Sequence, residues 1–360
     1  MKTQFHSSLR ILSVGAMMAA AFFSSCREDK IKYDIPETYN FDNVSFSGQT
    51  SRLDMLEEIS DYIATATTPG TVLDAHRLRD MFENQNNPFT FVATKQLKDK
   101  CFLADQTLIE TWMDAVANSS TSTQPAASGV AGIATSLDGT EHFLLDSNGF
   151  EHAELIEKGI MGAVFYYQAV GVYLTESKTG STVDNTTVTD GEGTALQHHW
   201  DEAFAYFGAP IDFPTNTNAR FWARASTQRD AQISSNEAIM TAFITGRAAI
   251  NHDDHTTKTA QIAIIRDNWE KVIAATAIHE LNEAKSHLGD DALRNHEISE
   301  AIGYTRALKY SPVKKITDAQ IQSIIDMLGT NLYAVTLPAI DNARAALAAP
   351  YGLESIMNAL

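Results

Sequence analysis

Hydrophobic positions recur along most of this chain with the spacing of a helix rather than that of a strand. Leu53, Leu56, Ile59 and Ile63 fall three or four residues apart, and Thr68-Pro69-Gly70 stops the run. The same pattern predicts helices over 73–84 and 103–117. The stretch 151–174 carries the broadest apolar stripe, formed by Leu155, Ile156, Ile160, Val164, Tyr167, Val170 and Leu174. A helix over 196–207 follows, ended by Gly208 and Pro210. Further helices are expected over 230–250, 256–287 and 293–309, then one running through Met327 and one preceding Pro350. Two capping boxes, Ser234–Glu237 and Thr317–Gln320, mark N-termini within this set. Residues 118–129 and 176–194 are polar and without period, so both are expected to be loops. Strand signals are few, and the run Phe89 to Ala93 has no partner. The pattern therefore predicts an all-α protein, a helical bundle.

The N-terminus has a different pattern. Lys2 and Arg10 precede an apolar stretch from Ile11 to Phe23, too short to span a bilayer comfortably, and Phe23-Ser24-Ser25-Cys26 closes it. This is the form of a lipoprotein signal: residues 1–25 are expected to be removed and Cys26 to be lipidated. Residues 26–50 then read as a tether that docks through Tyr33, Ile35, Pro36, Tyr39 and Phe41. No other stretch is apolar enough to span a membrane, so the lipid is the expected membrane device. The expected location is the cell envelope, on the outer membrane, facing either the periplasm or the surface, with envelope proteins as the partners open to it.

Charge and cysteine content narrow the picture. The net charge of −18 becomes −20 once Lys2 and Arg10 leave with the signal, which argues against nucleic acid as a partner. With Cys26 acylated, Cys101 stands alone, so no internal disulfide is expected.

Two segments resemble each other within the chain. His198 to Tyr206 and His296 to Tyr304 both read H-x-x-x-E-A-x-x-Y, and Glu157-Lys158-Gly159-Ile160 lies on Glu270-Lys271-Val272-Ile273. A duplicated unit predicts two related helical-bundle halves packed side by side, 51–215 and 216–360, with a site at their seam.

Imidazole and carboxylate side chains at helical spacing supply the candidate chemistry. His198 and Glu202 are four apart, His199 and Glu202 three apart, and either spacing places a pair on one face. His279 and Glu283, with His287 beyond, and His296 and Glu300 repeat the arrangement. Such donors suit zinc, iron or another divalent metal. No H-E-x-x-H, G-x-S-x-G, P-loop or Rossmann fingerprint is present, and no catalytic residue is assigned.

The segments Tyr33–Phe41, His199–Gly208, Gly246–Ile250, Asp291–His296 and Ser299–Ala301 resemble a family of uncharacterised Bacteroidetes-type lipoproteins, a domain of unknown function with an H-x-W-D-E-A-F-x-Y-F-G motif. The acidic cluster Arg27-Glu28-Asp29-Lys30 resembles the surface-export signal of such lipoproteins. A more distant likeness is to imelysin-type proteins, exported two-bundle helical proteins connected with iron uptake and once assigned as peptidases. His199-Trp200-Asp201-Glu202 reproduces their H-x-x-E, with Gln197 where their motif has Gly. That likeness implies His199 and Glu202 as ligands, whereas the internal repeat selects His198. Three functions follow: a non-enzymatic binding protein linked to iron or metal uptake, a metal-dependent imelysin-type hydrolase, or a structural lipoprotein.

Overall fold

The stripe Leu53, Leu56, Ile59 and Ile63 is buried along the first helix, α1 (Ser47–Ala64). The protein is seen here as a computed structural model that describes residue 1 and residues 31–360. The signal sequence, Cys26 and the acidic cluster behind it lie outside the described residues. Helices α2 (Ala75–Glu83) and α3 (Gln106–Ser120) follow, then a hairpin of β1 (Gly132–Thr135) and β2 (His142–Leu145). Next come α4 (His152–Ile160), α5 (Glu176–Thr179), α6 (Ala195–Ala205), α7 (Phe221–Ile233) and α8 (Ser235–Asn251). The chain ends with α9 (His255–Ser286), α10 (Asp291–Ala307), α11 (Asp318–Leu328) and α12 (Leu337–Tyr351). The fold is a mostly-α helical bundle, as the apolar spacing predicts.

Helix α4 continues without a break into a π-helical stretch, Met161–Tyr173, whose i→i−5 register shows in the bond from Leu174 N to Ala169 O. Most side chains of this rod are buried and none is fully exposed, so it runs through the core rather than along the surface. Trp222 donates its indole N–H to Met161 O at the point where the wider register begins. The other spine is α9, which packs against α7, α8, α10 and α12. Phe207, Trp222, Trp269 and Tyr166 form an aromatic cluster between them.

Local expectations are corrected at three places in the chain. The span 230–250 is two helices, because Ser234 takes the left-handed conformation (φ 52°) and ends α7 as α8 begins. Its capping box does not form. Asp230 accepts the Asn236 amide instead, and Ser226, Ser235 and Asn236 bond among themselves. The 176–194 loop begins with the short helix α5. The β-hairpin was not expected, because four-residue strands are too short to show an alternation. It holds its shape by antiparallel pairing, Gly132 opposite Leu145, and by packing on α3 and α10.

Residues Ile35–Leu360 form one compact unit with a continuous main core. Two glycines set critical approaches. A Cβ on Gly246 would lie 2.0 Å from Trp200, and one on Gly303 would lie 2.5 Å from Lys158 Cβ. The second contact presses α10 onto α4 and positions the ion cluster described below. Cys101 is a free, buried thiol, pushed up to about 12 by burial and by the Asp105 charge, which makes it a poor nucleophile. Among the described residues no helix is long and apolar enough to cross a membrane.

Candidate functional site

The helix carrying the H-x-W-D-E-A-F pattern is an anchor for the chain's N-terminal segment. Thr194 and Gln197 form a reciprocal capping box at the start of α6, which gives Gln197 a structural task. Trp200 donates to Phe243 O and fills the space left by Gly246. Asp201, fully buried, accepts from Tyr39 Oη at 2.5 Å and from Arg247 Nε at 2.9 Å. Tyr39 stacks on Phe204 with centroids 3.8 Å apart, and Arg247 lies over the Phe41 ring. Tyr39 and Phe41, two of the expected anchors, are thus clamped onto α6 and α8.

The histidines of α6 divide by partner. His199 Nδ1 donates to Lys178 O at 2.7 Å, so its Nε2 is left to face Lys178 Nζ at 3.4 Å. It is His198 that faces Glu202, at 3.8 Å. Glu202 also accepts from Gln49 at 2.7 Å and Tyr173 at 3.0 Å. The repeat mates His296 and Glu300 sit at 3.7 Å, nearly the same separation as His198 and Glu202.

A denser cluster of charge lies where α4 meets α10. Lys158, almost wholly buried, reaches Glu157 at 2.8 Å and Glu300 at 2.9 Å. It also sits 2.8 Å from Glu154, off the line of a good hydrogen bond. His296 Nδ1 donates to Glu151 at 2.6 Å, and Phe143 of the hairpin stacks on its ring. Glu151 is held in place at the N-cap of α4, where its own N–H donates to Ser299 Oγ.

Burial sets the protonation of this cluster as much as pairing does. Burial pushes Glu154 up to about 8 against the pull of Lys158. Burial opposes the imidazolium of His296, yet Glu151 and then Glu154 raise it to about 10. Glu300 goes the other way: Lys158 and His296 overcome its burial and hold it down at about 2. Glu280 bonds to Glu300 carboxyl to carboxyl, and burial with that neighbouring charge pushes it well above the usual range. A proton therefore sits on Glu280.

Beside the cluster lies a cavity of about 390 Å³, walled by α4, α7, α9 and α10. Glu157, Lys158, Glu300 and Tyr304 line one side, His279 and Glu280 another, and Arg224, Gln228 and Arg229 of α7 a third. Burial lowers the pKa values of Arg229 and His279.

The sequence candidates fall into separate places. His296 and Glu300 belong to the cluster and His279 to the cavity wall, whereas Glu283 joins His287 and Glu297. His287 Nδ1 lies 2.6 Å from Glu297, a buried carboxyl that burial pushes up to about 7 despite this imidazole. His198, His199 and Glu202 belong to neither group. Sequence reasoning missed Glu151, Glu154, Lys158, Glu280 and Arg229. The match of Glu157-Lys158 to Glu270-Lys271 was the one signal near them.

The pKa shifts have a consequence for stability. Glu154 and His296 keep protons in the folded protein that the unfolded chain has released. Their stabilisation is complete below the ordinary values of 4.5 and 6.5, and is lost as pH rises through about 8 and about 10. Glu300 contributes above its ordinary 4.5 and loses that as pH falls toward about 2. We expect the melting temperature to fall between pH 5 and pH 9, with a shallower fall in Glu154→Gln. Parallel profiles for the two proteins would remove Glu154 as a cause.

These features define the class: a mostly-α bundle with a buried ion cluster opening onto a charge-lined cavity. The chain belongs to the family described as Domain of unknown function (DUF4856), whose family model matches residues 36–354. No curated protein and no solved structure matches it.

Proposed function

We propose that this is a non-enzymatic binding protein, anchored in the cell envelope through Cys26, whose ligand is a divalent cation such as zinc or iron(II). The observation that carries the reading is one set of three donors. Ligand atoms of Glu151, Glu154 and His296 all lie within 4.8 Å of one another, on two helices locked together at Gly303. Glu300, 3.7 Å from His296 Nε2, stands beside them. Mixed carboxylate and imidazole donors suit these metals. An exported, acidic, disulfide-free body is consistent with capture of a cation outside the cell, and the imelysin-type likeness points toward iron.

The ligand must displace protons, because His296 and Glu154 hold theirs at neutral pH. Affinity should therefore rise with pH and each binding event should release protons. Calorimetric titration of metal-free protein with zinc or iron(II) in two buffers of different ionisation enthalpy reads both effects. His296→Ala and Glu151→Gln should each weaken binding by about tenfold or more. Metal binding that is unchanged in both variants would place the site elsewhere.

A further inference from the structure

One cation on the cavity wall, Arg229, forms no ion pair with any of the described residues. Lys158 is matched by Glu154, Glu157 and Glu300. Arg229 is 8% exposed and lines the same space, but its Nε is buried without any hydrogen-bond partner. Glu280, Tyr304 and Glu283 act on it only through space. A buried guanidinium normally sits in a carboxylate or phosphate fork, because an unpaired buried charge is costly. His279, on the adjacent wall, likewise has a buried Nδ1 with no partner. Arg224 and Gln228 of α7 also line the cavity and are exposed, which supplies further donors there.

We propose that the cavity binds a small organic carboxylate of about amino-acid size, with its carboxylate in the fork of Arg229. The volume suits such a molecule, near the lower end of small-molecule sites. The lining is mostly polar, with only a little apolar surface from Met161, Phe221 and Ala225, so a short and polar carbon skeleton fits best. Phosphate fits less well, because the Glu157 and Glu300 carboxylates would face its extra charge. The proposal needs neither a metal nor His296, so it and the cation site can fail independently.

Calorimetry or thermal-shift titration with acetate, succinate, citrate, L-leucine and L-glutamate tests it, with 3-methylbutylamine as the leucine skeleton lacking the carboxylate. At least one carboxylate should bind, the amine should not, and inorganic phosphate should compete weakly or not at all. Arg229→Met should weaken the bound carboxylate by about tenfold or more, the loss expected when a charged hydrogen bond disappears. Arg229→Lys should recover part of it. Each variant is first shown to melt cooperatively with the wild-type circular dichroism spectrum. His296→Ala should leave carboxylate binding within about twofold of wild type. If none of these carboxylates binds at millimolar concentration, or if Arg229→Met binds as wild type, the assignment is overturned.

Discussion

Lys158→Met should destabilise the protein by about 3–5 kcal/mol, the range for removing one partner from a buried ion pair. Among the described residues the ammonium is the only cation touching Glu154, Glu157 and Glu300 together, and its side chain is 8% exposed. Without it, carboxylates crowded between α4 and α10 must take up protons or draw in water. The loss should therefore be larger at pH 8, where protons are scarce, than at pH 5. Urea denaturation at the two pH values reads this directly. A loss below about 1 kcal/mol at both would mean that the carboxylates are already neutral and that the ammonium is not what holds them.

Arg247→Leu is the second large effect, again about 3–5 kcal/mol, and for a related reason. Arg247 and Asp201 both have fully buried side chains. The guanidinium also bonds to Asn251 and to Asp42 O, so it links α8 to α6 and to the N-terminal segment. Its loss strands Asp201, whose Oδ2 already lacks a partner and whose carboxyl burial raises to about 6 even with Arg247 beside it. Asp201→Asn in the same background should restore part of the stability by removing the charge while keeping an acceptor for Tyr39. Limited proteolysis should cut residues 35–46 faster in the single variant. Unchanged cleavage there would show that Tyr39 stacking on Phe204 is enough to hold the segment.

Much of the helical framework was legible because its causes are local. The stripe on α1 and the Thr317 capping box both depend on residues within four positions, and both appear as expected. The Ser234 box has the same letters but fails. There Asp230 and the Ser226 network outcompete it, and left-handed backbone turns α7 into α8. The hairpin was invisible for the opposite reason: its strands are too short to carry a pattern and depend on α3 and α10 for support.

The candidate site divides along the same line. His296 and Glu300 could be picked out as a pair because they are four apart on one helix. Nothing local connects them to Glu151 and Glu154, about 145 residues earlier, or to Arg229 on a third helix. The sequence by itself determined the mostly-α class, most helix spans and the acidic charge. Only the tertiary structure decided that the H-x-W-D-E-A-F helix is an anchor and that the charge gathers around Lys158. Periodicity records which face of a helix is buried. Which faces meet, and which buried charges lack a counterion, depends on contacts between residues far apart in the chain.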